Sequence, residues 1–217
     1  MFLGHTKKII AIGGGGFTHS QDRDLEDFIL SKCNLKNPKI CFLPSISNGN
    51  EKKISLFYQR FKFFSSKLSH LELEDKTYNY KEQIMSQHII YVGGGNTFQM
   101  IEKWKKFGID KHLLKAYEKG IILSGVSAGA VCWFDKILTD SKGKGFQIIN
   151  GLNFVRGSCT PHTSSQKSRL IEFKKMIKNN NMPSGFAIDD GVAIYFENGI
   201  KKKIYSSREN HIGQFIS

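Results

Sequence analysis

No apolar run in this sequence approaches the roughly 18 residues that a membrane-crossing helix needs, so no membrane partner is expected. Cysteine is scarce and dispersed. The four residues, Cys33, Cys41, Cys132 and Cys159, form no CxxC pair, which argues against a zinc site or a disulfide framework. They read as reduced, buried thiols that behave as small hydrophobes. Acidic residues are the minority, 19 against 32 lysines and arginines, for a formal net charge of +13. The excess clusters at Lys103-Lys105-Lys106, Lys174-Lys175 and Lys201-Lys202-Lys203, with no zinc finger, RNA-recognition motif or basic helix beside it. It reads as solvated faces, and no nucleic-acid partner is expected. The opening MFLGHTKKIIAIGGGG places its lysines after the first apolar residues and leads to no cleavage pattern, unlike a signal peptide, which predicts a cytoplasmic protein. No linker, repeat or low-complexity segment interrupts residues 1–217, a length that suits one domain burying roughly 70% of its unfolded surface.

Short apolar runs alternate with helical patterns. Residues 8–12 read as a strand ending in four glycines, and 22–34 as a helix with an acidic first turn. Residues 39–43 form a strand stopped by Pro44, 51–64 a helix, and 69–73 a strand. Residues 88–92 are a strand stopping at Gly93-Gly94-Gly95, with Asn96 or Thr97 positioned to cap a helix over 98–106. Asp110 is positioned to cap a helix over 111–119, which Gly120 ends before the strand at 121–124. Further on, short strands within 146–156 and 185–205, the latter turning at Asn198-Gly199, flank a helix near 165–179. The alternation predicts an α/β single domain with a mostly parallel sheet and helices on both faces. Ligands of such sheets bind beyond the carboxyl ends of the strands, where this chain places Gly13–Gly16, Pro44-Ser45, Gly93–Asn96 and Gly125–Gly129.

Gly125-Val126-Ser127-Ala128-Gly129 fits the G-x-S-x-G nucleophile elbow, with a strand before it and helix-forming residues after it. The flanking glycines relieve crowding at a sharp strand-to-helix turn, which holds the serine in a strained conformation with its hydroxyl exposed. The backbone N–H of Ala128 then points toward a carbonyl oxygen under attack. A serine nucleophile needs a base, and the seven histidines are His5, His19, His70, His88, His112, His162 and His211. His88 begins a strand and His112 sits in a helix, which favours structural or exposed roles. His162 lies in the loop Gly157-Ser158-Cys159-Thr160-Pro161-His162 and is the candidate base. Asp140, Asp189 and Asp190 are candidates for the acid that orients it, and turn chemistry accounts equally for all three. Gly93-Gly94-Gly95 lacks the Gly-Lys-Ser/Thr of a phosphate loop, and Gly13–Gly16 fails G-x-G-x-x-G because position 18 is threonine. Backbone N–H groups of Gly94 or Gly95 facing an oxyanion are the better reading.

Taken in order, these motifs resemble the peptidase E family, the alpha-aspartyl dipeptidases and their relatives including cyanophycinase. The resemblance rests on Ile10-Ala11-Ile12-Gly13-Gly14-Gly15, Ile40-Cys41-Phe42-Leu43-Pro44-Ser45, Gly93-Gly94-Gly95-Asn96-Thr97-Phe98 and Gly125–Ala130. Pro161-His162 and Ile188-Asp189-Asp190-Gly191 complete the series. It implies a class I glutamine amidotransferase-like (flavodoxin-like) fold with serine in place of the cysteine nucleophile. Ser127 is then the nucleophile and His162 the base, with oxyanion donors from Ala128 and the Gly94-Gly95 segment. Asp140 resembles the aspartate assigned to the acid in peptidase E proper. Asp190 takes the place of a glutamate that serves the cyanophycinase branch, and is one methylene shorter. Asp140 is the slightly favoured acid. Asn96 and Arg169 are candidate substrate contacts, Arg169 for an acidic side chain. The expected function is metal- and cofactor-independent serine hydrolysis of short peptides carrying aspartate at the N-terminus, by a monomer or homodimer. Cyanophycinase-like cleavage of a beta-aspartyl linkage, an esterase, and a noncatalytic binding module for acidic ligands are the alternatives.

Overall fold

Residues 9–12 are apolar without a break, as befits a parallel strand covered on both faces, and the strand they form is fully buried. The structure, a computed structural model, describes residues 5–19, 21–47, 49–73, 79–143 and 145–217; Met1–Gly4, part of the segment read above as unlike a signal peptide, lie outside the described residues. Strands β1 (Lys8–Ile12), β2 (Ile40–Leu43), β3 (Leu68–His70), β4 (Ile89–Val92) and β5 (Ile122–Val126) run parallel in the order β3-β2-β4-β5-β1. The hairpin β10 (Val192–Glu197) and β11 (Ile200–Ser206) extends this sheet antiparallel beside β1. A second sheet, of order β12-β9-β8-β6-β7, contains β6 (Phe134–Thr139), β7 (Gln147–Asn150), β8 (Val155–Thr160), β9 (Gly185–Ile188) and β12 (Gly213–Ile216). Within it β6, β8 and β9 are parallel.

Side chains alternate across the main sheet. Ile10, Ile12, Phe42 and Tyr91 pack on one face against α1 (Asp24–Leu30) and α2 (Asn50–Phe61). Ile9, Ala11, Leu43 and Val92 face α3 (Tyr80–Met85), α4 (Thr97–Phe107), α5 (Ile109–Glu118), α6 (Ala128–Val131) and the second sheet. Residues Phe57 and Phe61 of α2 are buried, each contributing on the order of 2–3 kcal/mol of transfer free energy. Helix α7 (Lys167–Lys178) covers the second sheet through Phe173 and Ile177. Among the described residues no helix is long and apolar enough to cross a membrane.

Two strands, β6 and β12, and the helix α3 go beyond the sequence reading. The helix after the elbow lasts only four residues, because the bulky run Cys132-Trp133-Phe134 is drawn wholly into the core and continues as β6. The single sheet expected is thus two. Helix α5 starts at Ile109 after Gly108, which is left-handed at φ 71°, rather than at an Asp110 cap.

Glu26 of α1 is buried, accepting the Phe17 N–H at 3.1 Å and lying 3.4 Å from Arg60 Nε. Burial pushes its carboxyl up to about 7, against the opposing pull of the Phe17 N–H and Arg60. A carboxyl raised on folding keeps its proton while the unfolded chain loses it. Stability should therefore fall as pH rises from about 4.5 to about 7, by about 3 kcal/mol. Glu26→Gln should remove that decline in urea-unfolding midpoints compared at pH 5 and pH 8. An unchanged difference between the two pH values would refute it.

Candidate active site

The chain leaves β5 at Val126 and reverses through Ser127, whose φ of 56° and ψ of −113° form the strained turn expected of an elbow. Its N–H donates to the Ile12 carbonyl at 2.9 Å, tying the turn to the end of β1. Close approach requires the flanking glycines. A Cβ on Gly125 would overlap the Gly129 carbonyl oxygen and stand 2.8 Å from the Val92 oxygen, and one on Gly129 would overlap the Val92 oxygen.

The candidate base reaches this turn from the other sheet. Beyond β8 and Pro161, His162 takes a left-handed backbone, φ 58°, and its Nε2 lies 2.8 Å from Ser127 Oγ. Its Nδ1 lies 2.6 Å from Asp190 Oδ1, at the end of β9. With Nδ1–H donating to Asp190, Nε2 is left to accept the Ser127 hydroxyl. The second carboxylate oxygen, Oδ2, accepts the hydroxyls of Ser164 at 3.0 Å and Ser165 at 2.5 Å. Burial pushes the Asp190 carboxyl up, but the hydrogen bonds from His162 and Ser165, the attraction of His162 and the Ser164 bond outweigh it. They hold the group well below the usual carboxylate range. His211 Nδ1 lies 2.7 Å from the Asp190 carbonyl oxygen. The two sheets are joined here by the bridge between Gly14 and Asp190 and by the Gly191 N–H donating to Gly14 O at 2.8 Å.

Asp140 does not stand behind His162. Strand β8 lies between β6 and β9, so both candidate acids flank its end, and the His162 ring meets the β9 side. Asp140, on the β6 side with its side chain 55% exposed, is ion-paired to Arg169 Nη2 at 3.0 Å. That pairing also removes Arg169 from the role expected of it. Its guanidinium is buried, donates to Gln166 Oε1 at 2.6 Å and stacks on Phe146. Asn96 is likewise committed to structure. Its Oδ1 caps α4 by accepting the Gln99 N–H at 2.9 Å, and its Nδ2 donates to the Ser141 carbonyl at 2.8 Å. Asp189 accepts the Thr163 hydroxyl at 2.6 Å and the Ile212 N–H at 3.0 Å, turned away from the histidine.

A cleft of about 270 Å³ opens over Ser127, lined by Thr18, His19, Lys53, Gly94, Gly95, Val126, Ser127 and His162. A Cβ on Gly94 would stand 3.1 Å from Ser127 Cβ, so this glycine lies directly against the Ser127 turn. Among the described residues no acceptor engages the N–H groups of Gly94, Gly95 or Ala128. Four contributors escaped the sequence reading. Ser164 and Ser165 directly follow the Pro-His-Thr segment, and Gly14 is read there only as one of the glycines closing the first strand, with no role of its own. Lys53 carries the clearest signal, because it precedes the buried Phe57 and Phe61 at four-residue steps and so occupies the inward stripe of α2.

A family model described as Peptidase family S51 matches residues 9–204. The uncharacterized peptidase YgaJ of Bacillus subtilis (strain 168) is 38% identical over 204 residues, 93% of this chain and 88% of its own. The uncharacterized peptidase Lmo0363 of Listeria monocytogenes serovar 1/2a is 28% identical over 173 residues, 75% of this chain and 83% of its own. Among solved structures, a Listeria monocytogenes EGD-e protein described as a candidate peptidase E superposes with a TM-score of 0.68 at 19% identity, covering 94% of this chain and 98% of its own. A peptidase from an acI-B1 Actinobacterium gives a TM-score of 0.65 at 16% identity, over 99% of this chain and 89% of its own. These two likenesses speak to the fold.

Proposed function

The chain belongs to peptidase family S51, and from that premise we propose that it hydrolyses short peptides, with aspartate at the N-terminus, through an acyl-enzyme on Ser127. The observation that carries this reading is the continuous hydrogen-bond chain Ser127–His162–Asp190, at 2.8 and 2.6 Å. His162 Nε2 accepts the hydroxyl proton as Ser127 Oγ bonds to the scissile carbonyl carbon, and Asp190 stabilises the imidazolium that forms. The negative oxygen of the tetrahedral intermediate is held by the N–H of Ala128 and those of the Gly94-Gly95 segment. As the intermediate collapses, the C–N bond breaks and His162 gives its proton to the leaving amine. Water, deprotonated by the same imidazole, then cleaves the Ser127 ester. A cleft of about 270 Å³ suits a short peptide better than a folded protein.

The position of the acid favours one second reading. Asp190 stands where the resemblance puts the glutamate of the cyanophycinase branch, so a beta-aspartyl peptide is the rival substrate. A fluorophosphonate probe should add one phosphonyl group to the Ser127-containing peptide of the wild type and none to Ser127→Ala. Absence of labelling on Ser127 would sink the hydrolase reading. Parallel turnover of Asp-Leu and beta-Asp-Arg decides the linkage, with Asp-Leu expected to be the better substrate.

A further inference from the structure

An ammonium on the inward stripe of a helix is out of place unless something there needs it. Lys53 Nζ sits in the wall of the Ser127 cleft, donating to Ser47 Oγ at 2.8 Å and to the Gly94 carbonyl at 2.9 Å. An ammonium has three N–H donors, so one remains. Both partners are neutral, and among the described residues no carboxylate stands within ion-pair distance of it. The side chain is half-buried, and that burial lowers its pKa. Removing a charge from water without a counter-charge is costly, and the cost is recovered when a ligand supplies the opposite charge. Among the described residues no other lysine or arginine lines this cleft, and Arg169 is consumed by Asp140 elsewhere.

We propose that Lys53 is the receptor for a carboxylate of the peptide substrate, a specificity-determining contact that rests on the hydrolase reading above. Its bond to Gly94, the residue pressed against Ser127, places the receptor beside the acyl centre, so the carboxylate belongs to a residue flanking the scissile bond. Two sources share this chemistry. One is the acidic side chain on the acyl side, and the other is the terminal carboxylate of the leaving residue.

Calorimetric binding to the Ser127→Ala protein separates them without requiring turnover. Asp-Leu is compared with Asn-Leu, which lacks the side-chain charge, and with Asp-Leu amide, which lacks the terminal one. Asp-Leu should bind at least about tenfold more tightly than one of the two, and that analogue identifies the source. Adding Lys53→Met should abolish the discrimination, while Lys53→Arg, which keeps the charge, should retain part of it. Lys53→Gln serves as a second neutral variant should the methionine protein not fold by thermal unfolding. Equal binding of all three ligands, or discrimination that survives loss of the ammonium, would overturn the proposal. So would a uniform loss across the three, since it would reduce Lys53 to a prop for the Gly94 carbonyl. Fluorophosphonate labelling of Ser127 is indifferent to substrate carboxylates, so failure of the hydrolase reading appears separately.

Discussion

Asp190→Asn should lower kcat on Asp-Leu by about 10⁴-fold while leaving the fold intact. The asparagine amide turned toward Nδ1 would offer a donor where His162 needs an acceptor. The imidazole would then carry its proton on Nε2, facing a serine hydroxyl it must deprotonate. Even with the carbonyl end turned inward, the negative charge that stabilises the imidazolium is gone. The hydroxyls of Ser164 and Ser165 now serve the carboxylate and would find only a neutral amide. Asp140→Asn is the contrasting case. It breaks the ion pair to the buried Arg169, costing on the order of 1 kcal/mol of stability, and should leave kcat close to the wild-type value. Steady-state kinetics and thermal midpoints on the two variants decide the matter, and a larger loss of kcat in Asp140→Asn would reverse the assignment. The acid limb of stability carries the same signature. A carboxyl depressed on folding contributes stability above its unfolded value near 4, and that contribution is lost as pH falls. Asp190→Asn should flatten this limb.

Gly14→Ala should cost about 10²-fold or more in kcat with only a small loss of stability. A methyl group there would overlap Asp190 Oδ1 and stand 2.8 Å from His162 Nδ1 and 2.9 Å from Asp190 Cγ. Gly14 is not among the residues with positive φ, so alanine meets no backbone penalty. The clash therefore falls on the histidine–aspartate bond itself. The carboxylate must withdraw, and the imidazole loses the partner that orients it. Retained thermal stability with slowed fluorophosphonate labelling is the expected pair of results. Wild-type labelling rates in Gly14→Ala would refute the close fit.

Much of this arrangement is legible in the sequence, and the legible part has a common character. The elbow, the glycine-rich ends of β1 and β4 and the Pro161-His162 loop are local signals, each confined to a few consecutive residues. Their strand context is readable because β1, β2, β4 and β5 are short apolar runs closed by glycine, proline or the elbow. Choosing between Asp140 and Asp190 is of another kind. Both follow strands adjacent to β8, and only the direction in which His162 turns its ring separates them, which depends on packing between two sheets. Arg169 has the charge and the nearness to His162 along the chain that suit a substrate contact, but α7, packed on the second sheet, carries it to Asp140. Lys53 had a readable signal in its spacing to Phe57 and Phe61, masked by a surplus of lysines throughout the chain. Strand β6 was hidden by its own start, since Ala128–Val131 does form a helical turn before the buried aromatics redirect it.

The division of the site between two sheets also orders events during synthesis. Ser127 precedes His162 by 35 residues, and His162 precedes Asp190 by a further 28. The elbow leaves the ribosome before His162 and Asp190 exist, its hydroxyl unpaired with them. It stays so until β8 and β9 form and β10 threads alongside β1, drawing Asp190 against Gly14. The Ser127–His162–Asp190 hydrogen-bond chain is thus completed only once the strand that follows Asp190 is in place.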